Sequence, residues 1–198
     1  MKMLLENDDD FREFSHELSR RLADREIRKT DNPGFRKAAV MMLVMNRNGA
    51  PSVLVTRRTD KVGTHKGQMA FPGGSVDPDD EDSLAAAYRE TFEEVGVPGD
   101  KIEFLGQYDE YISIAGFHVD VFVGAVDFPV EYKFNEGEID GYVEAPLSIF
   151  VNEEYDRTEC FEFRDKEYTV YHYLYNGYDI WGMTARILTD FARKVLAD

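Results

Sequence analysis

Cysteine is nearly absent: Cys160 is the only one in 198 residues. A single thiol excludes an intramolecular disulfide and a cysteine-rich zinc cage. Long apolar runs are missing as well. The longest, Ala38 to Met45, has eight residues and is far too short to span a bilayer. Positive charge is scarce, with 23 Lys+Arg against 39 Asp+Glu and a formal net charge of -16. Such a surface repels nucleic-acid backbone and anionic lipid, so neither nucleic acid nor a membrane is expected as a partner. Met1 to Phe11 is acidic and lacks the positive-then-apolar order of a secretory signal. The final Val195-Leu196-Ala197-Asp198 matches no retention or peroxisomal address. The expected location is cytoplasmic. What remains, 43% hydrophobic and 31% charged residues, suits one globular domain with a substantial core. A small anionic substrate stays admissible, because a local basic cluster or a bound divalent metal reverses the field inside a cleft.

Periodicity divides the chain. Phe11, Phe14, Leu18 and Leu22 recur at three- and four-residue spacing and predict an amphipathic helix over 10–26. Asp31-Asn32-Pro33-Gly34 reads as a linker. It separates an N-terminal helix and lead-in, 1–30, from a main domain over 36–198. Ala38 to Met45 reads as a buried strand and Ser52 to Thr56 as a second, joined by an Asn46-Arg47-Asn48-Gly49 turn into a hairpin. A polar loop follows from Arg57 to Gly67. The clearest helix covers 82–95 and ends at Gly96, a C-terminal cap. Val119 to Val126 predicts another strand, and Gly182 to Leu196 a final helix. No internal repeat or low-complexity tract is present.

The densest chemistry lies at Arg89-Glu90-Thr91-Phe92-Glu93-Glu94. Glu90, Glu93 and Glu94 stand at i, i+3 and i+4, which puts them on one helical face. Leu84, Tyr88, Phe92 and Val95 are expected on the opposite face, packed on a sheet. Carboxylates this close repel one another when ionised, and a divalent cation relieves the repulsion. All-oxygen ligation suits Mg2+ or Mn2+. A charge run alone is more often a solvated face. Upstream, however, Phe71-Pro72-Gly73-Gly74 leads into the helix through an acidic loop, Asp77 to Glu81. Paired glycines let the backbone approach a ligand closely, and the Gly74 carbonyl could reach a metal.

These residues resemble the Nudix family. Its box reads Gly, five residues, Glu, seven residues, then Arg-Glu-hydrophobic-x-Glu-Glu-x-Gly-hydrophobic. Here Glu81 precedes Arg89-Glu90-Thr91-Phe92-Glu93-Glu94-Val95-Gly96-Val97 by seven residues. Thr91 replaces the usual hydrophobic residue, and six residues rather than five separate Gly74 from Glu81. Either Asp80 or Glu81 could therefore take the first acidic position. The resemblance implies an α/β fold, the Nudix-type α/β/α sandwich around a mixed sheet. It also implies metal-dependent hydrolysis of a pyrophosphate bond, with Glu90, Glu93, Glu94 and Gly74 around the metal and Arg89 orienting a glutamate.

A second stretch is similar to the extra motif of coenzyme A pyrophosphatases within that family. It comprises Leu54-Val55-Thr56-Arg57-Arg58 and His65-Lys66-Gly67-Gln68-Met69-Ala70-Phe71-Pro72-Gly73-Gly74. Val62-Gly63-Thr64 stands where Leu-Arg-x is common in that subgroup. Pro146-Leu147 and Trp181-Gly182-Met183-Thr184-Ala185-Arg186-Ile187-Leu188 extend the likeness, which covers roughly residues 36–190. Arg57, Arg58, His65 and Lys66 place basic groups on one loop of a very acidic chain, and arginine grips phosphate oxygens in a fork. Arg57, Arg58, His65, Gln68 and Phe71 are the expected substrate contacts. The products implied for coenzyme A are 3',5'-ADP and 4'-phosphopantetheine. ADP-ribose or a nucleoside diphosphate sugar is the alternative substrate, and a non-catalytic nucleotide sensor the alternative of another class.

Glu136 and Glu138 lie in a polar loop from which Nudix enzymes often draw another carboxylate, as metal ligand or general base. Glu138, before Ile139, fits the subgroup better. His118, flanked by Phe117 and Val119 on a predicted strand, reads as structural, and His16 and His172 lack metal-like neighbours in sequence. Tyr168, Tyr171, Tyr173, Tyr175 and Tyr178 alternate partly as a strand does and read as packing. The expected partner is a small-molecule nucleotide, with a homodimer left open.

Overall fold

The computed structural model describes residues 1, 3–30, 33–60, 67–163 and 166–197. A mixed sheet of seven strands is covered on both faces by helices. Helix α1, Asp8–Ala23, precedes strands β1, Arg36–Arg47, and β2, Ala50–Arg58. Two short strands, β3, Met69–Ala70, and β4, Gly73–Ser75, lead into α2, Ser83–Val95. Strands β5, Glu103–Ile112, β6, Phe117–Ala125, and β7, Ile139–Pro146, complete the large sheet. The short helix α3, Ser148–Val151, leads to a three-stranded sheet of β8, Arg157–Phe163, β9, Lys166–Tyr175, and β10, Tyr178–Ile180. Helix α4, Gly182–Phe191, runs into a π turn, Ala192–Leu196.

β1 carries the core on both sides. Its even positions Ala38, Met42 and Val44 pack with α1 and α4 residues such as Phe14, Leu18, Leu188 and Phe191. Its odd positions Ala39, Met41, Leu43 and Met45 pack with Ala86, Ala87 and Val95 of α2. A strand buried on both faces needs an unbroken apolar run, which accounts for Ala38 to Met45. The β1–β2 turn has φ 52° at Asn48 and 85° at Gly49, so two left-handed residues close the hairpin at the Arg47↔Ala50 pair.

The sheet is split where the site forms. β1 and β2 pair only at the hairpin end, from Val44↔Val53 to Arg47↔Ala50. Toward the other end they diverge, and the segment Met69–Ser75 fills the gap. β3 pairs with Thr56 and Arg57 of β2, while β4 pairs with Ala38 to Val40 of β1. Among the described residues, the only parallel neighbours are β1 and β6.

Helix α2 departs from the expected orientation. Phe92 is 57% exposed, whereas Thr91 and Glu94 are buried. The face toward the sheet is Ala86, Ala87, Thr91, Glu94 and Val95. Thr91 survives burial by donating its hydroxyl to the Ala87 carbonyl at 2.6 Å. The helix starts where Asp82 accepts from the Ala85 N–H at 2.8 Å and stops at Gly96, φ 74°.

Candidate active site

Glu94 is the centre of the arrangement. Its carboxylate reaches across the sheet split and accepts from the Gly73 N–H at 3.1 Å and from Arg58 Nη1 at 3.0 Å. The helix is thereby tied both to β4 and to the last residue of β2. Glu94 is 2% exposed. Burial pushes its carboxyl up to about 7, and the Glu90 and Glu138 charges add to the rise, against the opposing pull of Arg58 and the Gly73 N–H.

Gly73 and Gly74 serve two different close approaches. Gly73 has φ 151°, and a Cβ there would lie 2.3 Å from the Ala39 carbonyl oxygen. Only glycine lets this turn press against β1. At Gly74 a Cβ would lie 2.5 Å from the Glu90 carboxyl carbon. The backbone of Gly74 thus sits directly against the Glu90 carboxylate. Burial raises the Glu90 pKa, with Arg89 opposing and Glu93 and Glu138 adding to the rise.

Arg89 binds four groups. Its Nε and Nη2 take both Asp80 oxygens at 2.9 Å each, Nη1 donates to Glu90 at 2.9 Å and Glu93 at 3.3 Å, and Nη2 also reaches the Ser75 carbonyl at 3.1 Å. This bidentate grip holds Asp80 below the ordinary carboxylate range. Asp80, separated from Gly74 by five residues, is the acid that Arg89 grips, while Glu81 faces solvent.

Glu138 arrives from the opposite side. The loop before it caps α2, with Lys133 N–H on the Val95 carbonyl and Asn135 N–H on the Glu94 carbonyl, both at 2.9 Å. The Glu138 carbonyl accepts from Thr59 N–H at 2.7 Å, just beyond Arg58. Glu138 is half-buried, accepts from Asn135 Nδ2 at 3.1 Å, and raises the pKa of both Glu90 and Glu94. Glu136 is exposed and shares none of these contacts.

The expected substrate residues divide. Arg58 belongs to the carboxylate cluster. Arg57 points elsewhere and pairs with Asp140 at 2.8 Å. Gln68 is fixed through its carbonyl, which accepts from the Arg58 N–H at 3.0 Å. Phe71 is 3% exposed and packed in the α1–α4 side of the core, so its ring supports the turn from within. His65 and Lys66 lie outside the described residues. The expectation for His172 also changes. Its Nδ1 lies 3.0 Å from Asp179, and its ring stacks on Trp181 at 5.7 Å. Tyr173 is packing, against Phe150 at 4.7 Å. Glu110, His118 and Asp120, which sequence spacing did not join, meet on β5 and β6.

The charge balance of the α2 carboxylates suits a divalent cation. Among the described residues, Glu90 and Glu93 share Arg89, and Glu94 pairs with Arg58 while the Glu90 and Glu138 charges raise its pKa. A buried carboxylate with a raised pKa and a glycine backbone pressed against its neighbour are the marks of a cluster short of positive charge.

A helix of glutamates, a glycine turn over it and a split mixed sheet together make an α/β sandwich with carboxylates gathered at the split. Known proteins agree. Residues 35–158 match the model of the NUDIX domain. The Nudix hydrolase NudL of Yersinia pestis (strain Pestoides F) is 35% identical over 160 residues, covering 81% of this chain and 80% of the relative. The NudL of Yersinia pseudotuberculosis serotype O:1b (strain IP 31758) matches equally. In fold, the chain is similar to DR0079 from Deinococcus radiodurans, with a TM-score of 0.53, 14% identity and coverage of 89% of this chain and 96% of the other. An Ap4A hydrolase from C. elegans gives a TM-score of 0.50 at 20% identity, covering 58% and 83%. The chain belongs to the Nudix family. It is a Nudix pyrophosphohydrolase, an enzyme class that acts on small nucleotide substrates with divalent metal ions. No helix among the described residues is long and apolar enough to cross a membrane.

Proposed function

We propose that the enzyme hydrolyses the pyrophosphate bond of coenzyme A or a derivative, giving 3',5'-ADP and 4'-phosphopantetheine. The observation that supports this reading is the Arg58–Glu94 pair. It joins the strand that opens the coenzyme A-like loop to the helix that carries the carboxylates. The strand leading into the substrate loop and the catalytic helix are therefore tied together, with the Arg58 guanidinium beside the place where phosphates would lie.

Glu90, Glu93, Glu94 and the Gly74 carbonyl would hold Mg2+ or Mn2+. When bound, the ion lowers the pKa of a water and neutralises charge on the phosphate oxygens. The remaining work falls to the chain. Arg89 fixes Glu90 and Glu93, and is itself fixed by Asp80. Arg58 and the Gly73 N–H hold Glu94 in one orientation. Glu138 keeps one oxygen, Oε1, on Asn135 and takes the proton of the attacking water on the other, Oε2, as general base. Water adds to one phosphorus, the bridging P–O bond breaks, and its electron pair leaves with the second phosphate.

A panel of coenzyme A, ADP-ribose and nucleoside diphosphate sugars, with product identification by mass, tests the reading. Coenzyme A is expected to give the highest kcat/KM. Preference for ADP-ribose or a nucleotide sugar would overturn the substrate while leaving the pyrophosphatase chemistry intact. Binding without turnover of every member would favour a nucleotide sensor.

A further inference from the structure

We propose that Glu110, His118 and Asp120 form a separate divalent-cation site, one that takes an imidazole-tolerant ion such as Zn2+, Co2+ or Mn2+. The three side chains sit on neighbouring antiparallel strands. Glu110 lies directly opposite Asp120, and His118 is two residues from Asp120 on the same face. A register shift in β5 between Gln107 and Glu110 creates this alignment. His118 Nε2 is 2.9 Å from Glu110 Oε2 and 3.7 Å from Asp120 Oδ1, and one ligand atom from each residue lies within 4.8 Å of the others. Donors around an ion with bonds near 2.1 Å stand about 3.0–3.4 Å apart. The three donors therefore need only small movements to share a cation.

Charge points the same way. Like charges directly opposite across two strands are destabilising. Glu110 is 9% exposed, and the side chains of His118 and Asp120 are 17% and 14% exposed. Among the described residues, no Lys or Arg nitrogen lies within 4.0 Å of either carboxylate. Two shielded carboxylates thus share a single imidazole. The Thr30 N–H donates to Glu110 Oε2 at 2.7 Å and orients it. Beside it, the Thr30 hydroxyl is buried and unpaired. One imidazole with two carboxylates favours transition ions over Mg2+, which prefers oxygen.

The cluster is distinct from the α2 carboxylates but near them. Gly74 pairs with Ala39, and Ala39 with Asp120, so the two places are two strand spacings apart, about 10 Å. Asp120 shares the sheet face of Phe122, the face that α2 covers.

Metal-free enzyme titrated with Co2+, followed by calorimetry and ligand-field absorbance, tests this site. Glu94→Gln is expected to retain one Co2+ equivalent that His118→Ala and Asp120→Asn bind roughly tenfold or more weakly. Zn2+ added to the wild type should shift the His118 ring nitrogens in NMR, and should do so in Glu94→Gln too. The NMR arm needs no variant of the cluster, so a folding defect in His118→Ala leaves the question answerable. Unmoved His118 resonances, or unchanged Co2+ stoichiometry and affinity in both cluster variants, would overturn the site. The imidazole would then be only a proton-bearing bridge between two carboxylates.

Discussion

The inner and outer parts of α2's acidic face carry the same residue type in opposite surroundings. Glu94 is buried and bound by Arg58 and Gly73 N–H, and burial pushes its carboxyl up to about 7. Glu93, one position away, has a side chain 53% exposed and touches only Arg89 at 3.3 Å. Next to it Phe92 is exposed as well. Adjacent glutamates therefore divide into one that organises the protein and one that the protein merely holds in place. Electrostatic energy stored at the inner position is unscreened, while the outer position is wet and weakly coupled.

The largest expected effect comes from the turn under Glu94. Gly73→Ala forces a Cβ against the Ala39 carbonyl at a φ that side chains avoid, and should destabilise by more than ~3 kcal/mol. Gly74→Ala presses first on the flexible end of Glu90, whose carboxylate supplies its three nearest atoms; it should retain the fold and lose turnover. Thermal melts alongside kcat separate the two. Equal losses of stability would mean that the turn is not pressed against β1 as described.

Next come the carboxylates themselves. Glu93→Gln and Glu94→Gln should each lower kcat by at least ~100-fold if both serve the metal. Near-normal kcat in both would make the acidic face a solvated helix surface. Stability should separate them. Folded Glu94 binds its proton more tightly than the unfolded chain, about 7 against an ordinary 4.5. The folded state therefore holds the extra proton between these values, and metal-free stability should fall as pH rises through that window. The fall is roughly 3 kcal/mol at most. It should shrink markedly in Glu94→Gln, leaving the smaller share of Glu90, and persist in Glu93→Gln, as read by denaturant unfolding at pH 4.5 and 8 in chelator. A flat wild-type profile would contradict the buried charge.

The smallest contrast is between neighbouring arginines. Arg57 pairs with half-exposed Asp140, so Arg57→Ala should cost under ~1 kcal/mol of stability. Arg58→Ala leaves Glu94 without its counter-charge and, on the proposed reading, removes a group that would meet the substrate's phosphates. It should raise KM for coenzyme A about tenfold to a hundredfold, consistent with loss of a charge-assisted hydrogen bond. An unchanged KM would confine Arg58 to a structural role.

Elements set by local pattern were legible in the sequence. The Asn48-Gly49 hairpin, the Gly96 cap and the both-sides-buried β1 all follow from short-range rules, and observed boundaries differ from them by a few residues. So was the gathering of Glu90, Glu94 and Gly74. What failed depended on tertiary placement. Helical spacing puts Phe92 with Leu84, Tyr88 and Val95 on the face opposite the glutamates, yet α2 turns Thr91 and Glu94 toward the split between β1 and β2. Phe71 reads as a substrate contact from its motif, but the turn faces its ring into the core. The choice between Asp80 and Glu81 needed the reach of Arg89. The Glu110–His118–Asp120 cluster depends on a strand irregularity that no spacing rule reveals.

The most direct test of the central claim is turnover of coenzyme A by enzyme held in excess chelator, before and after Mg2+ or Mn2+ is restored. We expect no 4'-phosphopantetheine in chelator, recovery with either ion, and no recovery in Glu94→Gln. Full turnover in excess chelator would contradict a mechanism in which the α2 carboxylates act through a bound cation.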